Sequence, residues 1–187
     1  MTAFSGNWFQ RRSARRKAAA EAYRGLLRHA LEPEFYLSGG VPDTFEGRAG
    51  MVTVLTSLAC ARLSRIEGPE PARLILRLDE LVLGGFDAAY REKGVGDASI
   101  ARKVRKLAQG HAGLGKALFA ALTGAEGAEP IDAILRRNGV ARPEKAGALA
   151  ESVRTLSAHL AGQPDSEILH GRFNWIGATA GQGAAQR

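Results

Sequence analysis

The sequence predicts an all-α fold: a single-domain helical bundle around one central buried helix, with a basic N-terminal helix and a disordered C-terminal tail. Three observations predict it. Residues 43–67 are apolar nearly all round, with nothing charged between Ala49 and Ala61. Ile100, Val104, Leu107, His111, Leu114, Leu118 and Leu122 recur in a regular helical stripe, the periodicity of a face turned to a core. Glycine and proline punctuate the helical patterns, and no stretch alternates like a strand or repeats.

The central element is predicted over residues 43–67. Asp43 is its expected N-cap, with Glu46 three residues on in capping-box spacing. Gly68 and Pro69 stop the far end. Phe45, Ala49, Val52, Leu55, Ala59, Leu63 and Ile66 form one apolar face, and Met51, Val54, Leu58 and Ala61 a second. A helix apolar all round either spans a membrane or forms the centre of a bundle. Spanning needs roughly 20 apolar residues, and Arg48 and Arg62 end this run well before that.

The 187 residues carry a net charge of +7, which points to a polyanionic neighbour: nucleic acid, a ribosome or an anionic membrane face. Aromatics at 6% are too sparse for base-stacking platforms. The single cysteine, Cys60, permits no intrachain disulfide, fits a reducing compartment and is expected to be a small buried hydrophobe.

Residues 1–30 hold seven Lys/Arg against one acid, Glu21. Glu21 and Arg24 interrupt any signal-peptide core, so export is not expected. Ala18, Ala22, Leu26 and Ala30 form a thin stripe on a basic amphipathic helix preceded by Trp8 and Phe9. Arg11, Arg12, Arg15, Arg16 and Lys17 are its candidate contacts to a membrane surface, a ribosome or RNA, with a solvated terminal helix as the plain alternative. Phe35, Tyr36 and Leu37 are expected to tuck under the core helix. Pro69 and Pro71 open the next helix, over about residues 70–93, whose face comprises Leu74, Ile75, Leu78, Leu81, Val82, Phe86, Ala89 and Tyr90. Gly84-Gly85 in its middle implies a bend or a close helix crossing.

Gly94 to Asp97 forms a break, with Asp97 the expected N-cap of a helix reaching about Leu122. Arg102, Lys103, Arg105 and Lys106 lie off its stripe, and no acid occurs between residues 98 and 125; this is the second basic surface. Residues 131–138 form a short helix ended by Gly139. Pro143 starts a further helix to about Ala161, with Leu149, Val153, Leu156 and Leu160 inward, and residues 165–170 add a turn. The segments are a basic N-terminal helix over 1–30, a helical domain over 31–170 and a flexible tail over 171–187.

The chemistry-bearing motifs are weak. Residues 110–116, GHAGLGK, fit the spacing of a phosphate-binding loop, but a charged helical pattern precedes them and Ala117 stands where Ser or Thr would hold Mg²⁺. Small residues at a helix crossing explain them better. Gly94-x-Gly96 follows a helix and lacks a third glycine, so it is no dinucleotide fingerprint. His29, His111, His159 and His170 are isolated, and one cysteine cannot build a thiolate zinc site. His111 is expected to be a satisfied core histidine, and Asp79, Glu80 and Asp87 to be solvated or ion-paired helix charges. No catalytic residue, metal or cofactor is expected, nor a small-molecule substrate; the chain is predicted not to be an enzyme.

Residues 86–108, FDAAYREKGVGDASIARKVRKLA, together with Pro42-Asp43-Thr44-Phe45-Glu46-Gly47-Arg48 at the head of the core helix, resemble the ubiquinol–cytochrome c reductase assembly chaperone family. That family shows an acidic helix, an Arg-Glu-x-Gly-Val-Gly-Asp segment and a basic helix in this order. The resemblance implies an all-helical, non-enzymatic assembly chaperone that binds newly made cytochrome b, at the inner face of the cytoplasmic membrane or in the cytoplasm. Mitochondrial relatives work with a small partner protein and at the ribosomal tunnel exit. The family pattern has Asp-x-Asp where this chain has Gly85-Phe86-Asp87, and aromatics where it has His111-Ala112. An apolar groove near Gly84-Gly85 would suit a helical client, with Phe86, Asp87, Tyr90, Val95 and Asp97 as its candidate contacts. A basic helical module that binds RNA or the ribosome is the alternative.

Overall fold

The computed structural model describes the backbone of residues 4–92 and 97–176 and the side chains of residues 10–92 and 100–176. Residues 49–59 are buried on every side, as expected of a helix apolar all round. This helix, α3 (Phe45–Leu63), packs against α1 (Phe4–Ala30), α4 (Pro69–Glu92), α5 (Asp97–Thr123) and α7 (Ala146–Ala161). The hydroxyl side chains on α3 turn back toward its own backbone: Thr56 and Ser57 donate to the carbonyls of Val52 and Thr53, and the Thr53 hydroxyl lies within reach of both the Ala49 carbonyl and the His111 ring. That satisfies hydroxyls that would otherwise be costly to bury. Among the described residues the architecture is all-helical, and no helix is long and apolar enough to cross a membrane.

The start of α3 differs from expectation. Thr44, not Asp43, is the N-cap, and its hydroxyl accepts the Gly47 N–H at 3.0 Å. Asp43 instead accepts from Arg48 at 2.7 Å. This hydrogen bond holds the Asp43 carboxyl below the usual carboxylate range. A nearby guanidinium outcompetes backbone N–H groups that Thr44 can serve equally well. The helix also ends at Leu63, so Ile66 lies in the turn beyond it.

α1 is part of the bundle. Ala19, Ala22, Leu26 and Ala30 are buried in the same core as α3, and α1 runs along α4. Arg15 makes a two-nitrogen contact with Glu70 in the first turn of α4, and Tyr23 lies against Gly85 near its end. A Cβ at Gly85 would overlap the Tyr23 hydroxyl. Gly84-Gly85 therefore marks a helix crossing, and α4 continues through it.

α2 (Pro33–Leu37) buries Phe35 and Tyr36, but Leu37 is 83% exposed. Five residues make little more than one turn, so three consecutive side chains cannot all face one surface. α6 (Ile131–Arg137), a 3₁₀ turn (Pro143–Lys145), α7 and α8 (Asp165–Leu169) complete the chain order. The inward face of α7 is Leu149, Val153, Leu156 and Leu160, all buried. Residues 171–176, which composition groups with the tail, cross over α1. Gly171 has φ +76°, and a Cβ there would overlap the Ala18 carbonyl. Phe173 is buried, and Trp175 stacks between Phe173 and His29. The remainder of the expected tail, from residue 177, lies outside the described residues.

Candidate functional site

The site is organised by α5. Its stripe turns Ile100, His111, Leu114, Leu118 and Leu122 into the bundle. His111, 8% exposed, is the polar member. Its Nδ1 lies 2.8 Å from the Thr53 hydroxyl on α3, and its Nε2 lies 2.9 Å from Asp79 on α4. A carboxylate can only accept, so Nε2 carries a proton and donates to Asp79. One side chain thus joins three helices and is satisfied at both nitrogens. Phe86 meets the ring edge-on at 5.6 Å.

Two depressions flank this node. The first, of about 440 Å³, lies between α3, α5 and the segment 138–140. Ala49, Gly50, Leu107, Leu114 and Val140 give it an apolar floor, and Glu46, Tyr90, Lys103 and Lys106 also line it. Tyr90 rests on Phe45 at 4.4 Å, and burial, with Glu46 nearby, raises its pKa above the ordinary tyrosine value.

The second depression, of about 410 Å³, is a groove between α4 and α5 with α3 as its floor. Ile75 and Leu83 form one wall, Phe119 the end of the other, and Ala108, Ala112 and Gly115 a stripe of small residues between. Cys60 lies on the floor, and burial pushes its thiol up to about 12, which keeps it protonated and unreactive as the sequence implies.

The predicted contact residues divide between these surfaces. Phe86 is buried behind His111 and Tyr90 lines the first depression. Asp87 is turned to the surface and accepts from Arg91 at 2.8 Å, so the three lie on one helix but on different faces of it. Val95 and the side chain of Asp97 lie outside the described residues, as do the side chains of Trp8 and Phe9. The groove opens at Ile75–Leu83, on the α5 side of α4, because α1 occupies the side at Gly85.

The basic residues form two clusters, one on α5 and one on α1. Arg102, Lys103, Arg105 and Lys106 are exposed on α5 and make no ion pair with a described residue. Arg11, Arg16 and Lys17 are exposed on α1, whereas Arg15 is tied to Glu70 and Arg12 also has an interaction. The GHAGLGK segment lies wholly within α5, and Gly115 faces Ser57 and Thr53 across the α3–α5 crossing. No strand leads into it, so it is a crossing of small residues and not a phosphate cradle. Among the described residues no group of three or more His, Cys, Asp or Glu could hold a metal.

Spacing could not show Asp79 and His111 as partners, because 32 residues separate them. Only the position of His111 on the apolar stripe of α5 hinted at a buried partner.

The sequence model of the ubiquinol–cytochrome C chaperone family matches residues 37–175. The chain belongs to this family. The match covers α3, α4, α5 and the C-terminal crossing, and therefore both depressions. The chain is also similar to the solved structure of the Cbp3 homolog from Brucella abortus, at 27% identity and a TM-score of 0.76 over 93% of this chain and 97% of that one. A comparison with curated proteins finds no match. The resemblance noted at residues 42–48 and 86–108 thus extends through the C-terminal half of the chain.

Proposed function

We propose that this family member is a non-enzymatic assembly chaperone that holds newly made cytochrome b, or another subunit of the cytochrome bc complex, before ubiquinol–cytochrome c reductase is complete. The α4–α5 groove carries the reading. Its apolar walls at Ile75, Leu83 and Phe119 suit an apolar client helix, and Ala108, Ala112 and Gly115 allow close backbone approach. The exposed Leu76 lies on the same helix as Ile75 and can widen the contact. From the groove the client surface continues along α4 by Asp87 and past the edge of Tyr90 toward Val95 and Asp97, with Phe86 as its buried support. The protein works in the cytoplasm, at the inner face of the membrane into which the client inserts.

The unpaired cluster Arg102, Lys103, Arg105 and Lys106, with Arg11, Arg12, Arg15, Arg16 and Lys17, supports a second reading: docking on the ribosome or RNA while the client emerges. Such docking weakens steeply as salt rises.

A photoreactive residue in place of Leu83 or Phe119, in cells making cytochrome b, tests the first reading, with Leu37 outside the groove as control. Cytochrome b crosslinked from both groove positions and not from Leu37 is the expected result. Crosslinks to ribosomal protein or RNA alone would replace the first reading by the second.

A further inference from the structure

Whereas the client groove is lined by one lysine, Lys116, together with the carboxylate of Asp79, the depression beside Tyr90 is lined by two lysines. Its floor is apolar, yet Lys103 and Lys106, one turn apart on α5, line it and neither forms an ion pair with a described residue. Arg102 and Arg105 add to the positive potential on this part of α5, and no acid occurs between residues 98 and 125 to offset it. The Tyr90 hydroxyl also has no described hydrogen-bond partner. Gly110 lines the same space, and a Cβ there would meet nothing within 4 Å. The cavity is therefore open at a position where almost any side chain would begin to fill it.

An apolar floor alone recognises hydrocarbon, and lysines alone recognise an anion. Together they select a molecule with both parts. We propose that this cavity binds an anionic amphiphile: a carboxylate- or phosphate-headed molecule with one apolar chain, such as a fatty acid or a single-chain phospholipid. The chain lies over Ala49, Gly50, Leu114 and Val140, and the head accepts hydrogen bonds from Lys103 and Lys106. Glu46, near Tyr90, disfavours negative charge on that side of the cavity and so places the head at the α5 lysines. The site shares Tyr90 with the proposed client surface, and its test uses no client.

Binding of laurate, dodecyl phosphate and inorganic phosphate, each below any micelle concentration, is measured by calorimetry on the full chain. The wild type is compared with Gly110→Leu, Lys103→Ser/Lys106→Ser, Glu46→Gln and the control Lys116→Ser. The two amphiphiles are expected to bind saturably at one site, and inorganic phosphate at least tenfold more weakly. Gly110→Leu, which adds a side chain to open space on an exposed helix position, abolishes binding without loss of thermal stability. The double lysine variant weakens it about tenfold or more, Glu46→Gln strengthens it, and Lys116→Ser leaves it unchanged. Laurate the tighter ligand identifies a fatty-acid site, and dodecyl phosphate the tighter a phospholipid site. Amphiphile binding that survives Gly110→Leu in a folded protein would overturn the proposal. So would no binding by either amphiphile, or inorganic phosphate that binds as tightly as they do.

Discussion

Two histidines are buried in this bundle, and they are held in opposite ways. His111 hydrogen-bonds at both ring nitrogens, to Thr53 and Asp79, and ties α3, α4 and α5 together. His29, 2% exposed, is bonded at one only: Nδ1 lies 2.8 Å from Glu32, while Nε2 is buried with no partner. Its other neighbours are aromatic, with Trp175 stacked at 5.6 Å and Phe35 edge-on at 5.5 Å. The indole N–H of Trp175 is likewise buried without a partner. The difference teaches where polarity serves the fold. At α3–α4–α5 a polar side chain specifies how three helices meet. At the C-terminal crossing the ring serves as a flat apolar surface, and its second nitrogen costs stability.

The largest effect expected from this contrast is at the satisfied histidine. His111→Ala removes a buried ring and strands the Thr53 contact, and is expected to cost about 2–4 kcal/mol, read as a lower urea midpoint. A cost below about 1 kcal/mol would show that the node is not what joins the helices.

The next effect lies beside His29, in α2, where Tyr36 donates to the Ala30 carbonyl at 2.5 Å. Burial pushes the Tyr36 hydroxyl from 10.0 to about 12, with Arg48 opposing the rise. A folded-state pKa raised in this way gives stability that is fully present below pH 10 and is lost as pH rises toward 12. Two units correspond to roughly 2–3 kcal/mol. Urea unfolding of wild type and Tyr36→Phe at pH 9 and again near pH 11.5 should show the gap between them closing at the higher pH. A gap that stays constant would count against the burial of this hydroxyl.

The smallest change is expected at the half-satisfied histidine. His29→Phe keeps a ring against Trp175 and removes the orphaned nitrogen, so its stability should stay within about 1 kcal/mol of wild type. The same substitution at His111 should cost more, because it leaves Thr53 and Asp79 without their partner. Equal losses at both sites would erase the distinction between them.

Particular residues show how much of this was legible beforehand. The uninterrupted apolar run of α3 announces a central helix, since only a fully surrounded helix can bury every face. The stripe on α5 announces a helix with one inward face, and places His111 on it. The cap at Thr44, the outward turn of Leu37 and the crossing at residues 171–176 were not legible. Each depends on a neighbour distant in sequence or on competition between adjacent groups. Asp43 is as good a cap as Thr44 until Arg48 claims its carboxylate. Phe173 and Trp175 sit in a glycine-, alanine- and glutamine-rich stretch and gain meaning only against α1.

The sequence alone determined the all-α class, the order of the main helices, the identity of the buried helix and the unbalanced positive charge of α5. Periodicity and local composition are properties of neighbouring residues, and these features depend on nothing else. Tertiary structure alone decided that α1 covers Gly85, that the open groove therefore lies between α4 and α5, and that Lys103 and Lys106 border an apolar cavity. Those outcomes follow from which helix faces meet, and burial, close approach and unpaired charge exist only once distant segments are packed together.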